Sequence, residues 1–119
     1  MSSPFALVTP GMSIAAYQIV YVDCGQSRLY GELVQHMAER QTCWLRPISL
    51  RQTSPTTETA EFLDVSNGPD IICADHVIQP VLDTDWLTVL ATLSATKGDC
   101  DYRSANQHLR QFVTCLLSL

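Results

Sequence analysis

The sequence has no long apolar run, few charged residues and a single lysine. Charged residues make up 16% of the 119-residue chain, and no lysine or arginine precedes Arg28. No segment approaches the roughly 18 consecutive apolar residues of a membrane span, and no basic stretch opens a secretory signal. We therefore expect a cytoplasmic protein that does not interact with a membrane.

The sequence also lacks the local motifs of common active sites. It contains no G-x-S-x-G, G-x-G-x-x-G, phosphate loop or H-E-x-x-H pattern. Cys73 and His76 are the nearest approach to a metal-binding pair, and a zinc site needs three or four ligands. We predict a non-enzymatic protein with no metal and no cofactor.

The five cysteines are an odd number, are far apart and form no C-x-x-C pair. A disulfide framework favours an even count in a smaller, loop-rich secreted chain. We therefore predict reduced cysteines that pack as small hydrophobic side chains. They are Cys24, Cys43, Cys73, Cys100 and Cys115.

The net charge of −5 is unevenly distributed. Residues 1–57 carry four arginines against three carboxylates, whereas residues 58–119 carry nine carboxylates against three basic residues. An acidic chain lacks the overall attraction for phosphate backbones that supplies most non-specific nucleic-acid affinity. This balance disfavours nucleic acid as the partner.

The first two-thirds of the chain is typical of short strands. Segments rich in β-branched and aromatic residues are separated by turn residues, and Gly31 inside the second segment predicts a bulge or sharp bend. A turn of 3₁₀ helix is predicted around His76, before Pro80. The predicted strands lie at 17–22, 28–36, 42–45, 60–65 and 70–73. The third strand continues to Leu50 if Pro47 lies at an edge or a bulge.

The last third changes to a helical period. In a first helix from Asp83 or Thr84, the apolar residues Trp86, Leu87, Leu90 and Leu93 recur at helical spacing. A second helix begins after Asp99 or Asp101 and carries one continuous apolar stripe. That stripe contains Tyr102, Ala105, Leu109, Phe112, Val113, Leu116 and Leu117.

These patterns predict one α+β domain over residues 1–119. A loose N-terminal arm at 1–13 leads into a small SH3-like five-stranded antiparallel barrel, or a strongly bent meander, at 14–80. A helical hairpin follows at 83–119.

Aromatic and arginine residues on the predicted strands are the candidate interaction surface. Tyrosine, tryptophan and arginine are enriched at interaction hot spots. For most of the aromatic members, burial in the core is the favoured alternative. The candidate residues are Tyr21, Arg28, Tyr30, Trp44, Arg46 and Arg51.

Two resemblances bear on this surface. Arg46, Arg51 and the segment 64–68 are similar to the paired-arginine and D/N-x-S-x-x-G signatures of the cyclic-dinucleotide-binding PilZ barrel, but the arginines are five apart and the second motif is one residue short. The runs 28–32 and 41–47 resemble uncharacterised cyanobacterial small proteins with an SH3-like or Sm-like barrel. The second resemblance implies a soluble cytosolic protein and brings no known activity.

We therefore expect a protein–protein interaction or assembly module that uses a strand edge or the aromatic and arginine face. The apolar end of the C-terminal helix (113–119) offers a second route, burial against a second copy in a homo-oligomer. The alternative function is a small-ligand or nucleic-acid binding barrel with an arginine face formed by Arg28, Arg40, Arg46 and Arg51.

Overall fold

The computed structural model describes residues 18–53, 60–96 and 102–118. Within these ranges, six strands of one antiparallel sheet precede two helices, which confirms the α+β class. The predicted N-terminal arm lies outside the described residues. The strands are β1 (Gln18–Cys24), β2 (Ser27–Met37), β3 (Thr42–Thr53), β4 (Ala60–Asp64), β5 (Ile71–Ala74) and β6 (Ile78–Pro80). The helices are α1 (Asp83–Thr96) and α2 (Tyr102–Leu117).

The sheet is open, with the strand order β4-β3-β2-β1-β6. Strand β3 is long enough to pair with β4 along its second half and with β5 along its first half. The prediction of five strands missed β6, which pairs with β1 directly after the predicted 3₁₀ turn, found at Asp75–Val77. Pro80 can end β6 because this strand lies at an edge, where a missing N–H disrupts no ladder.

The bulge predicted at Gly31 is present. The pairing of β2 with β3 shifts register between Tyr30 and Gly31, which leaves Ile48 as an extra residue in β3. A Cβ atom at Gly31 would lie 2.9 Å from the backbone oxygen of Arg46, so only glycine fits this close approach. The extra residue also places Arg46 and Arg51 on the same side of the sheet although they are five positions apart.

One side of the sheet, which we call the inner face, forms the core with α2. Burial alternates along β1 as the two-residue period predicts, with Val20 and Val22 fully buried. Leu109 and Phe112 of α2 pack into the same cluster as Leu33, Leu45 and Leu50 of the sheet.

A disulfide joins Cys24 at the end of β1 to Cys115 in α2, so the prediction of reduced cysteines is wrong for these two. Their Cα atoms are 6.4 Å apart, within the usual range for a disulfide, although 91 residues separate them in sequence. Only the packing of α2 across the inner face brings them together. Cys43 and Cys73 are free thiols, and Cys100 lies outside the described residues.

The opposite side of the sheet, the outer face, is partly covered by α1. The Trp86 ring lies 6.2 Å from the Tyr30 ring, and α1 also contacts β4. Among the side chains of α1 that the structure describes, Val89 is the buried apolar one. The two helices therefore cover different faces of the sheet, and neither they nor any other described helix is long and apolar enough to cross a membrane.

Candidate functional site

All six predicted surface residues belong to the outer face. Cross-strand pairing sets Tyr21 opposite Tyr30 and Arg28 opposite Arg51, and Arg46 follows Trp44 by two residues on β3. Directly opposed residues of antiparallel strands project to the same side of a sheet. The structure therefore brings the six residues onto one face, but their surroundings differ.

The guanidinium group of Arg28 is fixed by contacts with neighbouring residues of the same sheet. Its Nε and Nη2 atoms donate to the two carboxylate oxygens of Asp23 at 2.7 and 3.0 Å. Its guanidinium carbon lies 3.9 Å from the centre of the Tyr21 ring. The hydrogen bonds to Asp23 raise the pKa of Arg28 further above its ordinary value. Arg28 is thus a fixed, internally neutralised cation stacked on an aromatic ring.

Arg46 and Trp44 share an acidic partner at the other end of the outer face. The Trp44 indole N–H donates to Asp70 Oδ2 at 2.9 Å, and Arg46 Nε lies 3.8 Å from Asp70 Oδ1. Arg46 Nη1 also lies 3.5 Å from Glu32. The carboxylate of Asp70 therefore already has partners within the protein.

The two remaining candidates lie deeper. Tyr30 is buried beside Trp86, so it supports α1 instead of facing a partner. Arg51 is half-buried, and its Nε atom is buried without a hydrogen-bond partner, as is the Oγ atom of Ser49 two residues earlier. Arg51 therefore has a buried N–H donor that no hydrogen bond within the described residues uses.

An apolar cavity of about 380 Å³ lies between β5 and the C-terminal end of α2. Every residue of β5 lines it, which means that it follows the edge of the strand and not one face. The helix side is formed by Val113, Leu116 and Leu117, and Leu117 is 82% exposed. The predicted excess of apolar surface at the end of the C-terminal helix is therefore part of this site.

A second cavity of about 380 Å³ continues the first one toward the start of β5. The two share Ile71, Ile72 and Val113 as lining residues, so they lie next to each other along β5, and we call them together the β5 groove. Arg110 lines this end beside Asp70 and is exposed. Arg110 forms no ion pair with any residue in the described ranges.

Two free thiols lie on neighbouring strands, and one of them lines the first cavity. Cys43 and Cys73 are cross-strand partners, and Cys73 lines the cavity. Burial raises the pKa of each thiol to about 12, with the negative charge of Asp75 adding to the effect. Such thiols stay protonated near neutral pH and are poor nucleophiles. Within the described ranges, no three His, Cys, Asp or Glu side chains are placed to hold a metal ion.

The sequence identified the outer face but missed the β5 groove. The apolar residues of β5 looked like ordinary core, because a sequence does not show which strand lies at an edge. Comparison with family models, with curated proteins and with solved structures finds no match to this chain.

Proposed function

We propose that this protein is a non-enzymatic protein-interaction module and that the β5 groove is its binding site. The single observation that carries the proposal is an open apolar channel that runs along a strand edge. Ile72 and Leu117 at its borders are 58% and 82% exposed. Burying such side chains on binding contributes about 25 cal/mol per Å² of apolar surface removed from water, before the costs of association.

The chemistry of the site supports binding over catalysis. The thiols of Cys43 and Cys73, whose pKa values are raised to about 12, lack the thiolate character of a nucleophile near neutral pH. The cavity is lined mainly by aliphatic residues, which suit the side chains of another protein better than a charged substrate.

An arginine face that binds nucleic acid or a small anion is the second candidate. One observation favours it, the unpartnered Nε atom of Arg51 next to Arg28 in the sheet. Arg28 and Arg46 are already paired with carboxylates, which reduces the attraction for phosphate. The expected signature is oligonucleotide or cyclic-dinucleotide affinity that falls steeply with salt and is lost in Arg51→Gln. A flat titration at low salt would rule this candidate out.

The proposal includes three further expectations. The first is that the antiparallel sheet is of the SH3-like type, and the second is a cytoplasmic location. In a reducing cytoplasm, the Cys24–Cys115 bond would belong to the class of disulfides that respond to redox conditions. The third is that self-association through the end of α2 competes with partner binding, because both use Leu117.

Selection of a random twelve-residue peptide library on the immobilised protein tests the proposed function. We expect the enriched peptides to lose at least about tenfold in affinity toward Leu117→Lys, because a lysine places a charge in the apolar groove. Leu87→Lys on α1 is the matched control, since Leu87 is 65% exposed and lies outside the groove residues. The proposed function fails if no peptide is enriched, or if both variants bind the peptides as the parent protein does.

A further inference from the structure

The unpaired edge of β5 limits the conformation of whatever occupies the groove. On one side β5 pairs with β3, and no strand of the described ranges pairs with its other side. The amide of Asp75 donates to the Gln41 carbonyl at 2.9 Å, which marks these two residues as a hydrogen-bonded pair of the ladder. Hydrogen-bonded and non-hydrogen-bonded pairs alternate in an antiparallel ladder.

This alternation identifies the backbone groups that face the groove. Ile71 and Cys73 fall in hydrogen-bonded pairs with β3, so their N–H and C=O groups point toward β3. Ile72 falls between them, and its N–H and C=O groups therefore point outward. The N–H group of Ala74 points outward for the same reason. An extended chain beside β5 is the occupant that satisfies such a row of donors and acceptors.

The groove also indicates which side chains that chain carries. Alternate residues of an added strand would project toward Val113 and Leu116 of α2, where the lining is apolar. At the other end Arg110 is exposed and lacks an ion-pair partner among the described residues, whereas Asp70 is engaged by Trp44 and Arg46. We therefore expect the bound chain to place a carboxylate next to the positive charge of Arg110.

We propose that the partner binds as an extended segment that adds a strand to β5, with apolar side chains at alternate positions and a carboxylate next to Arg110. This inference rests on the proposed function and specifies the kind of partner. Main-chain hydrogen bonds to Ile72 and Ala74 would supply the register, and the groove would select the side chains.

Backbone N-methylation of the peptides selected above, with amide hydrogen exchange of the protein, tests strand addition. For a strand added antiparallel to β5, the arrangement of every pairing in the described sheet, we expect methylation at the position opposite Ile72 to reduce affinity at least about tenfold, because it removes a donor and blocks close approach. Methylation at the flanking residue, whose N–H faces away, leaves affinity unchanged. The bound peptide should slow the exchange of the Ile72 and Ala74 amides.

Charge substitutions test the carboxylate. Arg110→Glu should weaken binding of carboxylate-containing peptides at least about tenfold, while Arg40→Glu, an exposed site on the turn before β3, leaves it unchanged. Equal effects of the two variants would overturn the assignment of the charge. A matched peptide with amide in place of carboxylate should lose its sensitivity to Arg110→Glu.

The outcomes separate the two proposals. Peptides that depend on Leu117 but tolerate every N-methylation, or that bind as helices, would overturn strand addition and leave the proposed function standing. Absence of groove-dependent peptides would overturn both. If no peptide binds the groove and the protein self-associates in sedimentation velocity in a way that Ile72→Lys abolishes, the occupant is a second copy, and the assignment to a separate partner is overturned.

Discussion

The two helices have similar lengths and opposite organisation. Helix α2 buries Leu109 and Phe112 in the inner-face core and turns polar residues outward. In α1, Val89 is buried while Leu87 and Leu90 remain exposed, and no charged residue follows Asp85 within the helix. When the apolar residues of a helix form one stripe, the sequence predicts which side of the helix is buried. When apolar residues lie on several sides, the sequence does not predict it.

The largest difference in the free energy of unfolding is expected between alanine substitutions of Phe112 in α2 and Trp86 in α1. Phe112→Ala should lower the free energy of unfolding by about 3–5 kcal/mol, because it opens a cavity in the shared core. Trp86→Ala should cost less, about 1–2 kcal/mol, since this ring is half-exposed and packs against Tyr30 on the outer face. Urea denaturation measures both values. Equal losses would contradict the view that α2 alone completes the core.

Reducing the disulfide should affect α2 more than α1. The bond closes a loop across 91 residues, and loss of such a link costs about 2–4 kcal/mol. We expect hydrogen exchange to accelerate near Cys115 and to change little in α1. The double variant Cys24→Ser, Cys115→Ser is the control, because its stability should not respond to reductant. A stability of the parent protein that is the same with and without reductant would refute this prediction.

A smaller effect is expected where the turn after β4 touches α2. A Cβ atom at Gly68 would lie 2.6 Å from Cδ2 of Leu109 and 3.1 Å from Oδ1 of Asn106. Gly68→Ala should therefore overpack this contact and cost about 1–3 kcal/mol. In thermal denaturation, Leu109→Val should partly compensate, so that the double variant is more stable than the sum of the single losses predicts. If the stability losses of the two single variants add exactly in the double variant, the cost of Gly68→Ala comes from the backbone at this position and not from contact with Leu109.

Much of the fold follows from residues whose local pattern has one interpretation. Val20 and Val22 alternate with less buried neighbours, and Gly31 marks the bulge. In α2, the polar residues lie on one side and so indicate that the opposite side is buried. The predicted stripe of α1 was partly wrong. It grouped Leu87 and Leu90 with Trp86, whereas Val89 is the buried residue, because no charged side chain marks the solvent side.

The candidate site was less predictable than the fold. The sequence placed Tyr21, Arg28 and Trp44 among surface candidates, and alternation explains why they share the outer face. The sequence could not show that Asp23 neutralises Arg28, because that contact depends on the geometry of the turn between β1 and β2. The β5 groove and the Cys24–Cys115 bond depend on where α2 crosses the sheet, which is a long-range property that no local pattern encodes.

The smallest expected effect is at the exposed side of α1. Leu87→Lys should change the free energy of unfolding by no more than about 0.5 kcal/mol, because a side chain that is 65% exposed loses little packing. Val89→Lys on the same helix should instead prevent α1 from packing, since it would bury an unpaired ammonium group beside the outer face. Urea denaturation with tryptophan fluorescence follows both, because Trp86 reports on the contact with Tyr30. A large loss in Leu87→Lys would mean that the exposed leucines of α1 are covered in solution, and the contrast between the two helices would then describe an interface instead of a difference in packing.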